Sequence, residues 1–93
     1  MPLEDEYPGD ADWQSTVALY REDYLDDDAH TLAKALGGDL DLAVVLRGKR
    51  GLKEGLWWID HKVPALDNVR PADCLEDPRL IKRLRTALMS MPY

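Results

Sequence analysis

Apolar residues recur along this chain at helical rather than strand spacing. Between Ala11 and Leu25, Trp13, Val17, Tyr20 and Tyr24 follow one another at intervals of three and four, and Leu25 widens the stripe. That periodicity predicts an amphipathic helix with one face on a core. Ala29, Leu32, Ala33 and Leu36 repeat it over a shorter segment, which Gly37-Gly38 stops. Between the two lies Asp26-Asp27-Asp28, whose charges would oppose the dipole at the end of a helix. A break at the aspartates is expected, with Asp28 capping the second helix.

Asp39 is placed to cap Leu40 to Leu46, whose pattern LDLAVVL fits a short helix or a strand equally well. Helix is favoured because no second strand-like run exists to pair with it. Gly48 and Gly51 bracket a basic turn, Arg47 to Gly51, and Leu52, Leu56 and Ile59 then mark a helix running through His61 until Pro64 stops it. Asp67-Asn68 carry turn chemistry, and Pro71 opens a short helical turn through Leu75. Asp77 followed by Pro78 reads as an N-cap with proline at the first helical position. In the last helix Leu80, Ile81, Leu84 and Leu88 form one face, and Arg79, Lys82, Arg83 and Arg85 the other.

These elements predict an all-α protein: a single small domain of five or six short helices. Residues 1–10, with two prolines, a glycine and four acids, are expected to be a flexible, disordered acidic tail. Residues 11–41 supply the N-terminal helices and residues 42–93 the remainder, packed together as one domain. A chain of 93 residues buries roughly 60 to 65% of its unfolded surface, which leaves little room for a deep active site.

Trp57 and Trp58 stand out against this pattern. Neighbouring side chains on a helix point about 100° apart, so one buried face can hardly hold both indoles. At least one of the two is therefore expected to be partly free for a second surface.

Charge is distributed unevenly. Met1 to Asp28 hold ten acidic residues against Arg21 alone, a formal −9; the rest holds eleven basic and eight acidic residues, +3, giving −6 in total. The acidic front half argues against nucleic acid as the main partner. The single cysteine, Cys74, cannot form an intrachain disulfide, and no apolar run reaches signal-peptide or membrane length. A reduced, cytoplasmic setting without membrane attachment is the expectation.

Little in the chain suggests catalysis. His30 and His61 stand in no zinc-motif spacing with Cys74 or a carboxylate, and the triple aspartate lacks the alternating oxygen ligands and central glycine of a calcium loop. The run from Arg47 to Gly51 lacks the spacing of a phosphate loop. No catalytic residue, metal or cofactor is therefore assigned. The basic turn at Arg47, Lys49 and Arg50 and the face from Arg79 to Arg85 could contact phosphates, or could balance the acidic N-terminal region. A nucleic-acid-associated regulator, or an orphan interaction adaptor, is thus the second reading.

The run Trp58-Ile59-Asp60, Pro64-Ala65-Leu66-Asp67-Asn68, Arg70-Pro71-Ala72-Asp73-Cys74-Leu75 and Asp77-Pro78 resembles the toxin-binding domain of the bacterial Xre/MbcA/ParS antitoxin family. Asp67-Asn68 stands where that family usually has glycines, although both residues tolerate the left-handed turn conformation. Full-length members also carry an N-terminal helix-turn-helix, for which the acidic region preceding Leu42 is too short and too negative. The resemblance implies a non-enzymatic antitoxin-like protein that covers the active site of a partner toxin, commonly of the RES type that acts on NAD. Trp58, Ile59, Pro64, Leu66, Pro71 and Leu75 would be the motif framework; Trp57, Arg83, Met89, Met91 and Tyr93 would contact the partner. Homo-oligomers through the aromatic and methionine surfaces are a further expectation.

Overall fold

The computed structural model describes residues 3–92. It contains four α-helices, α1 (Asp10–Tyr24), α2 (Asp27–Ala35), α3 (Leu40–Ile59) and α4 (Pro78–Ser90). Three 3-10 turns accompany them, at Leu3–Glu6, Pro64–Leu66 and Pro71–Cys74. Helix α3 is the centre: α1, α2 and α4 all pack against it, and the two proline-led turns pack on α4. Among the described residues the only strand pairing is an isolated antiparallel bridge between Val63 and Val69, and no helix is long and apolar enough to cross a membrane.

The centrality of α3 explains why its first half resisted a helix-or-strand assignment. Leu42, Ala43, Val44, Val45 and Leu46 are all fully buried, and a helix surrounded by others loses the polar face that gives amphipathic helices their period. The helix does not end at Leu46. It continues through Arg47 to Arg50, and the break falls at Gly51 alone, where φ of 78° and ψ of −178° leave the helical region for one that side chains other than hydrogen rarely adopt. Gly48 is not a turn residue at all. A Cβ there would collide with the edge of the Tyr20 ring and lie 2.8 Å from Tyr24, so the missing side chain lets α1 approach α3. On either side of it the Arg47 guanidinium lies 5.7 Å from the centre of the Tyr24 ring and Lys49 Nζ 5.8 Å from that of Tyr20.

The chain breaks at the aspartates, but the cap is Asp26 rather than Asp28: its carboxylate accepts from the Ala29 N–H at 3.0 Å. This register puts Asp27 and Asp28 in the first turn of α2, where the dipole favours acids. A cap at Asp28 would leave two carboxylates against the end of α1. At the other end of α2, Gly38 N–H donates to the Ala33 carbonyl at 2.7 Å, with Gly37 and Gly38 at positive φ. Asp39 then caps α3 through the Leu42 N–H, and Asp77 caps α4 through Arg79 and Leu80. Asp67 and Asn68 both take left-handed backbone, φ 56° and 62°, the conformation that Asp and Asn tolerate best among residues with a side chain.

The N-terminal segment departs most from expectation. In place of a flexible acidic tail, Leu3–Glu6 forms a turn of 3-10 helix against α4, with Leu3 packed on the core and Glu4 buried. The basic face of α4 neutralises the charge that would otherwise keep the segment in water. Arg79 and Arg83 both pair with Glu4, at 2.7 and 2.8 Å, and Arg85 pairs with Asp10 at 3.5 Å and donates to the Tyr7 hydroxyl at 3.3 Å.

Candidate functional site

Beyond Gly51 the second half of α3 presents Trp57 and Trp58 to different surroundings. Gly55 faces inward, where a Cβ would come within 3.0 Å of Leu32, and Ile59 is buried beside it. With that face turned to the core, Trp58 packs half-buried at its edge and Trp57 points outward, 62% exposed. The Trp57 ring does not hang free. It stacks on His61, ring centres 4.1 Å apart and planes 16° from parallel, while His61 Nδ1 donates to the Trp57 carbonyl at 2.5 Å. One indole face is thereby held, and the other remains open.

Two shallow grooves meet at Trp58. The first, about 480 Å³, is lined by Arg50, Lys53, Glu54, Trp57 and Trp58. The second, about 320 Å³, continues from Arg50 and Trp58 over Leu3, Val63, Ala65 and Met91. The combined surface carries aromatic and aliphatic groups with two cations on its rim. A third cleft, about 560 Å³, lies on another part of the molecule between Leu36-Gly37 and Ala72-Leu75 and is acidic, with Asp39, Asp73 and Glu76.

The residues expected to meet a partner divide. Trp57 lies on the outer surface, and Met91 is half-buried in the second groove. Met89 is half-buried and packs on the core. Arg83 is not a surface contact. Its side chain is 9% exposed, it bonds Glu4 through Nε and Nη2 at 2.8 and 3.0 Å, and Nη1 donates to the Leu66 carbonyl at 3.3 Å. Glu4 opposite is held down at about 2, chiefly by the Arg83 hydrogen bond, then by the backbone and Arg79, against the upward pull of burial. Tyr93 lies outside the described residues.

The motif framework is positioned as follows. Ile59, Leu66 and Pro71 are buried, Trp58 and Leu75 are half-buried, and Pro64 is exposed at the start of its turn. Leu66, fully buried, ties the 64–66 turn to α4 with its carbonyl on Arg83.

Of the groups able to take part in metal or acid-base chemistry, Cys74 is buried and its thiol is pushed up by that burial. His30 is exposed on α2. Among the described residues no three His, Cys, Asp or Glu side chains gather where they could hold a metal ion.

The basic residues grouped in the sequence are for the most part engaged within the molecule. Arg47 pairs with Asp26 and Asp28, and Lys49 Nζ donates to the Met91 carbonyl. Arg50 and Lys53 differ, and their place beside the two tryptophans was not legible from spacing, because the kink at Gly51 sets where they point. No family model matches the chain, and no curated protein or solved structure matches it either.

Proposed function

We propose that this chain is a non-enzymatic, protein-binding module of the antitoxin type, which engages a partner toxin through the surface around Trp57 and covers that toxin's active site. The observation that carries the reading is the exposed Trp57 indole, held in place by His61 beside a groove that also contains Trp58. An aromatic ring already ordered before binding loses little conformational entropy on contact and suits an interface anchor. Met91, flexible and polarizable, extends the same surface. A RES-type toxin is the partner that the resemblance in the Trp58 to Pro78 run favours. Arg83 belongs to the interior and is no part of the proposed face.

The competing reading as a nucleic-acid regulator is weakened by the use of its key cations. Arg47, Arg79, Arg83 and Arg85 each face carboxylates of this same chain, so a phosphate backbone would have to displace them. Co-expression with the product of the adjacent gene tests the proposal. Growth rescue and a co-purifying complex, both lost in Trp57→Ala with the helical fold retained, are expected. A harmless neighbour, or full rescue by Trp57→Ala, overturns it.

A further inference from the structure

We infer that the paired grooves around Trp58 are a docking site for an acidic segment of the partner protein, in which Arg50 receives a carboxylate and the open face of Trp57 receives an apolar side chain. This rests on the reading of Trp57 as the partner-facing residue and specifies the chemistry of what it meets.

The argument begins with the arginines. The chain has seven, and six form ion pairs with its own carboxylates: Arg21 with Asp41, Arg47 with Asp26 and Asp28, Arg70 with Asp73, Arg79 with Glu4, Arg83 with Glu4 and Asp67, and Arg85 with Asp10. Arg50 is exposed and makes no ion pair among the described residues. In a protein of net charge −6 an unpaired guanidinium is conspicuous, and the cause is local. Glu54 stands four residues on, the spacing at which a straight helix brings opposite charges together. Gly51, at φ 78° and ψ −178°, breaks the helix between them, and no Arg50–Glu54 ion pair forms among the described residues. The kink therefore keeps Arg50 available and places it on the rim of both grooves.

The groove chemistry specifies the occupant. Lys53 is a second exposed cation in the first groove, against the single carboxylate of Glu54. The guanidinium fork matches a carboxylate with two parallel hydrogen bonds, and an indole face accepts an aliphatic or aromatic group next to it. A long polyanion fits less well. The field of the whole chain is negative, and a phosphate backbone extending past the two cations would run over that acidic surface. A segment with one or two carboxylates flanking an apolar residue meets only the local positive spot, because more distant charges are screened beyond about 8 Å at physiological salt.

The test uses the full chain, isotopically labelled, with the indole N–H signals of Trp57 and Trp58 followed by NMR. It is titrated with the capped heptapeptide Gly-Ser-Glu-Leu-Asp-Ser-Gly, with its Gln/Asn isostere, and with a short oligothymidylate. The acidic peptide is expected to shift both indole signals, and the isostere to bind about tenfold more weakly or worse, as loss of a charge-assisted pair requires. Arg50→Gln should lose the same factor, whereas Lys34→Gln, of equal charge change but remote from the grooves, should not. Equal binding of the isostere, unaltered binding by Arg50→Gln, tighter binding of the oligonucleotide, or no response to the acidic peptide at millimolar concentration overturns the assignment. Partner binding separates this failure from that of the broader reading. If Trp57→Ala loses the adjacent gene's product while Arg50→Gln keeps it, only the carboxylate assignment falls; if neither variant affects it, both fall.

Discussion

The carboxylate of Glu4 takes two hydrogen bonds from the guanidinium of Arg83, at 2.8 and 3.0 Å, across 79 positions of sequence. That pair closes the N-terminal turn onto α4 and removes Arg83 from the surface. A depressed carboxyl value stabilises the fold above the value of the unfolded chain and ceases to do so as the group is protonated. Glu4 goes from an ordinary 4.5 to about 2, so its contribution is complete above about 4.5 and disappears as pH falls towards about 2. Glu4→Gln should therefore melt several degrees below the parent at pH 7, and the difference should shrink steadily on acidification. A difference independent of pH, in paired calorimetric scans, would remove the charge-pair account.

Gly48→Ala sets two effects against each other. Alanine gains about 1 kcal/mol of helix propensity over glycine, but the added methyl collides with Tyr20 and Tyr24, and overpacking of that kind costs about 1 to 3 kcal/mol. The collision wins, because both rings are held between α1 and α3. A net loss of about 1 kcal/mol in urea unfolding is expected, with relief in the Gly48→Ala, Tyr20→Ala double variant relative to additivity.

The two tryptophans should separate stability from binding. Trp57→Ala, at 62% exposure, should change unfolding free energy by no more than about 0.5 kcal/mol. Trp58→Ala, half-buried against the core, should cost about 1.5 to 2.5 kcal/mol, half the loss of a fully buried indole. Chemical denaturation of both variants reads this directly, and equal costs would contradict the described division.

Leu66→Ala tests whether the proline-led turn is part of the core. The side chain is fully buried, and truncation of such a leucine costs about 2 to 5 kcal/mol. Since the Leu66 carbonyl also holds Arg83, the Tyr7 N–H, which donates to the Glu4 carbonyl at 3.3 Å, should lose protection in hydrogen exchange as well. Intact protection there would show that turn and N-terminal segment are independent.

Cys74 should be inert in the folded protein. It is buried, its thiol is raised by that burial, and its Sγ lies 3.5 Å from the Arg70 carbonyl. Because the thiolate is the reactive form, alkylation by iodoacetamide at pH 8 should be about tenfold or more slower than in concentrated urea. Equal rates would mean that the 71–74 turn opens readily.

Much of this molecule could be read in advance where a residue acts on its immediate neighbours. Asp39 and Asp77 as caps, Gly37-Gly38 as a stop and Asp67-Asn68 as a left-handed turn all depend on bonds within a few residues. The stripe of Ala29, Leu32, Ala33 and Leu36 likewise needs only helical periodicity and a core to face. The number of helices was harder. Buried on every side, the first half of α3 has no polar face to mark its register, and a basic run between glycines looks like a turn when it is in fact a continuing helix with Tyr20 and Tyr24 packed on it.

Local chemistry thus specified the helical class, most helix ends, and the presence of an indole that the core would not absorb. Which charges meet was settled by the packing. The acids of the N-terminal segment and the arginines of α4 are far apart in sequence, and each alone reads as a solvated surface; only their approach in space converts Glu4 and Arg83 into a buried pair and leaves Arg50, beside the kink at Gly51, without a carboxylate among the described residues. Side-chain electrostatics act over ångströms of space, not positions of sequence, so that choice waits for the folded chain.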